Sequence, residues 1–504
     1  MRDNERHTGE LPAMDKPSRP ARQASTNLTT GRIPTTLLVF ALPVLGSNVL
    51  QSLNGSVNAV WVGRFLGEAA LTATSNANLV LFLVLGTVFG IGMAATILVG
   101  QSVGAGHWDR ARAIVGTGAT FFFLVSALFS VCGWIWVDDI LRLLGTPADA
   151  LPLAHTYLRI LFVAIPAMNF LSFVMTVLRG AGDSRTPFLF MAIAVALDIV
   201  LNPMLIAGIG PFPAMGIAGS ATSTLVGQGV SVVAILVTLY LRKHPLRLAG
   251  ADLALLRPDP RILKIVVEKG VPMGLQMIVI SASALMLMGI VNSYGSRVAA
   301  AYGIAAQLWT YIQMPALAIG AAVSSMAAQN VGAGRWDRIG TITLTGIAFN
   351  VVLTGALVVL LYIFDRPILG LFLIGDGGAI EIAAHINTVA SWSFVLFGIT
   401  IVLFATVRAT GAVIPPLVVL IVSTLIVRTG FAYGMQGSLG QEAVWWSFPV
   451  GSVLSVLLSI GYYRLGKWRS VRMLENDARP AAGEPPDTGL GYPRQRARFT
   501  GDGK

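Results

Sequence analysis

The stretch Gln101-Ser-Val-Gly-Ala-Gly-His-Trp-Asp-Arg110 recurs almost letter for letter as Gln329-Asn-Val-Gly-Ala-Gly-Arg-Trp-Asp-Arg338, in the other half of the chain. A chain of 504 residues that repeats itself at that distance is built as two halves. Each copy follows a long apolar run that closes in small residues, Gly90-Ile-Gly-Met-Ala-Ala-Thr and Ile319-Gly-Ala-Ala-Val-Ser-Ser. The repeat therefore marks the same corner of two similar bundles. Other matches keep their order around it: Pro43 with Pro272, Gly67 with Gly295, and Leu178-Arg-Gly-Ala-Gly-Asp-Ser-Arg-Thr-Pro187 with Val407-Arg-Ala-Thr-Gly-Ala-Val-Ile-Pro-Pro416.

Composition sets the class. With 55% hydrophobic and 12% charged residues, the chain lies far outside the soluble range of about a quarter charged residues and is an integral membrane protein. A crossing helix needs about 20 mostly apolar residues. Twelve stretches qualify, near 34–60, 71–99, 113–136, 153–178, 187–208 and 216–241, then 266–291, 301–327, 340–364, 386–407, 413–434 and 444–464. The expected fold is an all-α membrane protein of twelve transmembrane helices, two six-helix lobes related by a pseudo-two-fold axis along the membrane normal. An even number of spans per half gives both lobes the same orientation, and substrate paths in such proteins run between the halves.

The expected organisation is a disordered tail over 1–33, a first lobe over 34–241, a crossover over 242–265, a second lobe over 266–465 and a disordered basic tail over 466–504. Pro245, Pro258 and Pro260 argue against one continuous helix in the crossover. A short amphipathic helix is expected near Ile262 to Val267.

A net charge of +11 raises nucleic acid as a partner, but the placement of the charges decides otherwise. Loops after even-numbered spans carry fourteen Lys/Arg and the opposite loops four. This is the positive-inside pattern of a multi-pass protein of the plasma (inner) membrane with both termini cytoplasmic. The stretch before the first span has no apolar signal-peptide core, and the single Cys132 permits no intrachain disulfide. There is no phosphate-binding glycine loop, no Cys/His metal cluster and no readable nucleophile–base pair, so neither cofactor nor metal is expected.

The repeat motifs read as helix corners. Gly104 and Gly106, with Gly332 and Gly334 in the second copy, let the chain leave a helix through positive φ. Gln101, Gln329, Arg179, Gly182, Arg408 and Gly411 belong to the same structural motifs, with a gate hinge as the functional alternative.

Of 24 acidic residues, 23 fall in loops, tails or span ends, and Asp198 alone lies deep in a span. It is eleven residues past Pro187, about 16 Å into a core about 30 Å thick. A carboxylate there costs at least ~2.5 kcal/mol and points to function, and a desolvated carboxyl can take and release a proton near physiological pH. Ser47, Gln51, Asn54 and Asn58 make one polar stripe on span 1, and Asn202 lies one turn beyond Asp198. Polar side chains in lipid must face protein or water, so a hydrated pocket between spans 1 and 5 is expected; the alternative is that the amides only bond helices together. The cation-coupling set is Asp198, Asn202, Asn58 and Asn54, and the substrate cavity takes Gln51, Ser47, Gln276, Met277 and Met286. Met suits varied apolar ligands but also serves as ordinary core. Arg428, deep in span 11, is read as structural, since it can pair with a carboxylate, bond carbonyls or snorkel.

These residues resemble the multidrug and toxic compound extrusion family over roughly residues 33–465. The resemblance is carried by Val62-Gly63 after a polar first span, the Gly-Gln-x-x-Gly-Ala-Gly stretch, Leu178-Arg-Gly-Ala-Gly-Asp183, Gly216-Ile-Ala-Gly and their repeats. It implies an antiporter, not an enzyme, that exports cationic or amphiphilic small molecules by alternating access, coupled to inward H+ or Na+, in a lipid bilayer, working as a monomer without nucleic acid. Two departures matter. Many members carry an acid where this chain has Asn58, and many read Asn, three residues, Asp in span 5, where this chain has Asp198 before Asn202. An acid that some members place in span 7 is absent near Ile280, which favours H+. The rivals are a flippase for lipid-linked or polysaccharide precursors, which tends to extra spans or a basic cavity; a major-facilitator transporter, which the Gly-rich corner after span 4 fits poorly; and a membrane-embedded enzyme, which needs facing polar catalytic groups.

Overall fold

In lipid the backbone must satisfy its own hydrogen bonds, which leaves these apolar runs helix as their only open form. The computed structural model describes residues 27–372, 377–471 and 473. Six long helices make the first lobe: α1 (Ile33–Leu66), α2 (Glu68–Gly104), α3 (Trp108–Ile135), α4 (Leu151–Gly180), α5 (Arg185–Ala207) and α6 (Ile217–Leu241). The second lobe repeats them as α7 (Pro260–Asn292), α8 (Ser296–Gly332), α9 (Trp336–Phe372), α10 (Gly377–Ala390 and Ser393–Ala409), α11 (Ile414–Gly434) and α12 (Glu442–Leu465). Ten are single helices long and apolar enough to cross a membrane, the two pieces of α10 meet at 45° as an eleventh, and α2 is a continuous helix of 37 residues. All twelve expected stretches fall on these helices.

The corners follow from glycine. Gly106 and Gly334 have φ of 79° and 71°, and Gly182 and Gly411 have 93° and 105°, so the chain reverses at matching places in both lobes. Gly104 and Gly332 correct the expectation: both lie inside their helices, and their role is close approach. A Cβ on Gly104 would lie 1.9 Å from the Gln329 carbonyl oxygen, and one on Gly332 would lie 2.0 Å from that of Gln101.

The cores locate the joint. One buried cluster runs through both lobes on the side of the repeat motifs, with Ala94, Leu98 and Leu178 from the first and Ala327, Ala328 and Val402 from the second. Toward the other face it divides. Val62, Tyr157 and Leu161 belong to a core of the first lobe alone, and Trp309, Phe394 and Trp445 to one of the second alone. The lobes are fused at the motif face and packed separately beyond it.

Parts of both expected tails pack on the bundle. Residues 1–26 and 474–504 lie outside the described residues. Leu28, however, is fully buried, its N–H donates to Gln329 Oε1 at 3.3 Å, and its carbonyl accepts from Asn330 Nδ2 at 3.0 Å. Trp468 is buried too, and its carbonyl accepts from the Thr410 hydroxyl at 2.9 Å. An apolar side chain placed just outside a span removes more surface from water by folding back on the bundle than by extending.

The crossover corrects a second expectation. Ile262 to Val267 do not form a separate surface helix, because α7 already begins at Pro260, where Asp259 Oδ1 accepts from the Arg261 N–H at 2.8 Å as an N-cap. The preceding segment lies on α3, with the Leu256 carbonyl accepting from Thr120 at 2.6 Å and Arg112 Nε lying 3.3 Å from Asp252.

Candidate functional site

Asp198 sits on α5, which starts where Asp183 Oδ1 accepts from the N–H groups of Arg185 and Thr186. Asp198 is 4% exposed and Asn202, one turn on, 1%. The Asp198 carboxylate accepts from Asn54 Nδ2 of α1 at 2.8 Å, from the Ser223 hydroxyl of α6 at 2.5 Å and from Thr224 of α6 at 3.2 Å. One turn further, Asn58 Oδ1 accepts from Asn202 Nδ2 at 2.7 Å and Ser220 at 2.8 Å, while its amide donates to the Tyr157 hydroxyl at 3.3 Å. Three donors thus converge on one carboxylate, and no ion pair involving Asp198 occurs among the described residues. Asn202 Oδ1 is buried without a hydrogen-bond partner. Chemically, such a cluster can hold and pass a proton.

The structure brings Asn54, Asn58, Asp198 and Asn202 together, and adds Tyr157, Ser220, Ser223 and Thr224. Sequence reasoning missed Ser220, Ser223 and Thr224 because Ser and Thr hydroxyls inside apolar helices usually bond their own backbone, and Tyr157 because nothing local marks what its hydroxyl meets. A usable signal was the small-residue run Gly219-Ser-Ala-Thr-Ser-Thr224, which lets α5 and α6 approach: a Cβ on Gly219 would lie 2.5 Å from the Leu205 carbonyl oxygen.

The substrate-cavity residues do not gather in one place. The Ser47 hydroxyl donates to the Pro43 carbonyl at 2.9 Å, and Gln51 is exposed without a hydrogen bond among the described residues. Gln276 is buried, and its Oε1 accepts from Arg408 Nη1 at 2.9 Å, which ties α7 to the end of α10. Met277 is half-buried and Met286 exposed. The second lobe holds instead an aromatic cluster: Trp309 lies 4.8 Å from Phe448 and 5.2 Å from Phe394 between ring centroids, and Tyr302 stacks on Trp445 at 5.8 Å. A half-open cavity of about 340 Å³ lies apart from both, under the crossover, with Phe123, Phe170 and Leu236 on its walls.

The repeat motifs meet each other. Gln101 Nε2 donates to the Ala409 carbonyl at 2.7 Å, and Gln329 Nε2 to the Gly180 carbonyl at 2.9 Å. Each glutamine thus reaches from one lobe to the end of the helix beside Arg408 or Arg179 in the other. What looked like two separate corners is one symmetric clasp.

The MatE family pattern matches residues 43–204 and again 272–433, one stretch within each lobe, opening at the paired prolines Pro43 and Pro272. The chain belongs to the MatE family, the multidrug and toxic compound extrusion transporters. A relative from Bacillus subtilis, described as the probable multidrug resistance protein YoeA, is 39% identical over 84% of this chain and 92% of its own length. A second from that organism, the probable multidrug resistance protein YpnP, is 32% identical over 89% and 98%. The fold matches a solved MATE structure in complex with MaD3S at a TM-score of 0.81, with 21% identity over 88% of this chain and 98% of that one. As a MatE protein the chain is a multi-pass membrane transporter, and multidrug efflux is the activity its relatives are named for.

Proposed function

We propose that this MatE chain is a monomeric antiporter of the plasma (inner) membrane that exports cationic or amphiphilic small molecules by alternating access, driven by inward H+ through Asp198. One observation carries the coupling: the Asp198 carboxylate is buried near the middle of α5 among neutral donors from α1 and α6, with no cation paired to it among the described residues. Burial penalises the charged carboxylate while its three donors hold it, so binding a proton and repacking those donors are energetically linked. H+ is favoured over Na+ because Asp198 is the single carboxylate of the cluster and Ile280 stands where some family members place a further acid. No metal, cofactor or nucleic acid enters this scheme.

The positive-inside bias supports a cytoplasmic motif face, to which both described chain ends return. The clasp of Gln101 and Gln329 then closes the cytoplasmic side, and the separate cores beyond it suit a state open outward. The relatives named for multidrug resistance support export of drug-like small molecules.

The test uses inside-out vesicles with an imposed H+ or Na+ gradient and ethidium as substrate. The wild type is expected to respond to H+ alone. Asp198→Asn is expected to remain folded and membrane-inserted but to lose the response. Undiminished H+-driven export by that variant overturns the coupling role, and a response to Na+ alone overturns the ion.

A further inference from the structure

The first-lobe cluster leaves one deep charge unused, Arg428 of α11. Its place becomes clear from the repeat. Pro187 and Pro416 open α5 and α11 at matching positions; Asp198 is the eleventh residue after the first, and Arg428 the twelfth after the second. The extra residue is taken up by a π-helical segment, Ile421–Arg428, in which each turn is wider than an α-turn. Packing confirms the register. On α6, Gly227 abuts the Ala194 carbonyl and the Asp198 backbone; on α12, Gly451 abuts the Ser423 carbonyl and Arg428. Three positions before Gly227 stands Thr224, which bonds Asp198. Three positions before Gly451 stands Phe448, whose ring centroid lies 3.6 Å from the Arg428 guanidinium. Arg428 therefore occupies the seat of Asp198 in the second lobe, with the charge reversed.

Its surroundings do not neutralise it. Arg428 makes no ion pair and no hydrogen bond among the described residues, and its Nε is buried without a partner. Contact with Phe448 supplies attraction to one face of the guanidinium but accepts none of its N–H donors. The Tyr302 ring lies 6.4 Å from that of Phe448, between centroids, and its hydroxyl also makes no hydrogen bond among the described residues. A half-buried guanidinium with free donors, beside the rings of Tyr302 and Phe448, lacks only an oxyanion, the group its planar fork recognises bidentately.

We propose that Arg428 and Tyr302 form a second-lobe subsite for the carboxylate or phosphate group of an aromatic amphiphile, so that the substrates of this transporter include anions and zwitterions beside cations. The subsite deepens the export reading and rests on it. The π-helical segment is what turns a guanidinium into this seat.

The experiment measures binding to the purified full-length protein in phosphatidylcholine nanodiscs, with 1-naphthoate as anionic probe, 1-naphthylmethylammonium as its cationic counterpart and ethidium as reference. The wild type is expected to bind naphthoate. Arg428→Gln should weaken naphthoate at least tenfold and leave ethidium within about twofold, and Arg428→Lys should recover part of the loss. Equal naphthoate binding by wild type and Arg428→Gln overturns the subsite. So does a wild type that binds ethidium and the ammonium probe but no naphthoate, an outcome that leaves the export reading standing and holds even where both variants misfold. Failure of the wild type to bind any of the three overturns both. Displacement of naphthoate by phosphatidylglycerol in the disc but not by free benzoate assigns the seat to a lipid headgroup and overturns the substrate reading.

Discussion

The two lobes share a fold and a register but not a chemistry. In the first, α1, α5 and α6 surround a carboxylate with amide and hydroxyl donors. In the second, α8, α11 and α12 surround a guanidinium with aromatic rings. Between these seats and the motif face the lobes are nearly interchangeable, down to two glutamines that clasp opposite helix ends at 2.7 and 2.9 Å. Symmetry is kept where the lobes meet and dropped at the two deep charges. In the proposed function the shared face is the two-fold hinge, and the divergent seats take a proton in one lobe and an anion in the other.

The comparison can be broken at four places, taken from the largest expected effect downward. Asp198→Asn should lower H+-driven ethidium export in vesicles at least tenfold, to the background of empty membranes, while Arg428→Gln leaves the response to the gradient in place; equal losses in both would make the lobes one coupling unit. At the clasp the lobes should behave alike. Gly104→Val and Gly332→Val each force a side chain onto a backbone carbonyl of the other lobe, and each should cost about 1–3 kcal/mol in thermal unfolding of the purified protein. A loss in only one of them means the clasp is not symmetric in energy.

At the seats the pseudo-equivalent neighbours should differ in their effect on coupling. Thr224→Val removes a hydrogen bond to a charged group, worth about 1.5–3 kcal/mol, and should slow export about tenfold as well as lower the melting temperature. Phe448→Leu removes the ring beside Arg428 and should lower stability by about 0.5–2 kcal/mol with H+ coupling unchanged.

The smallest effect concerns pH. His244 follows α6 and Trp468 follows α12 at the spacing that also relates Gly227 to Gly451, and both fold back onto the motif face. His244 Nδ1 accepts from the Leu246 N–H at 3.2 Å. Burial pushes the His244 imidazole below its ordinary range, and the charge of Asp183 partly opposes this. Below the ordinary histidine value of about 6.5 the unfolded chain binds more protons than the folded one, so stability falls as pH drops through that window toward the lowered folded value. Melting temperatures at pH 7.5 and 5 should show this slope, and His244→Leu should flatten it. A Trp468→Phe variant should keep the wild-type slope, because the second lobe has no titrating group at that place.

Legibility followed the range of the interactions. Helix number, repeat and corners depend on local apolar length and on glycine, so 34–60 and its eleven companions could be read directly. Asp198 was legible because one carboxylate in an apolar run stands out in any context. The stripe of Asn54 and Asn58 gave the right partners, yet Ser223, Thr224 and Tyr157 were invisible, since a hydroxyl inside a helix carries no mark of what faces it. Gly104 shows the converse: its sequence context suggests a turn, and only the neighbouring lobe reveals a contact.

The sequence by itself determined the class, the duplication, the orientation bias of the charges and the single deep acid, all of which follow from composition and periodicity along one chain. Tertiary structure alone decided that the repeat motifs touch, that Leu28 and Trp468 are part of the fold, and that Arg428 takes the place in its lobe that Asp198 takes in the other. The reason is geometric. One residue added to a π-turn rotates every later side chain of α11 around its axis, and a linear sequence records the addition without recording the rotation.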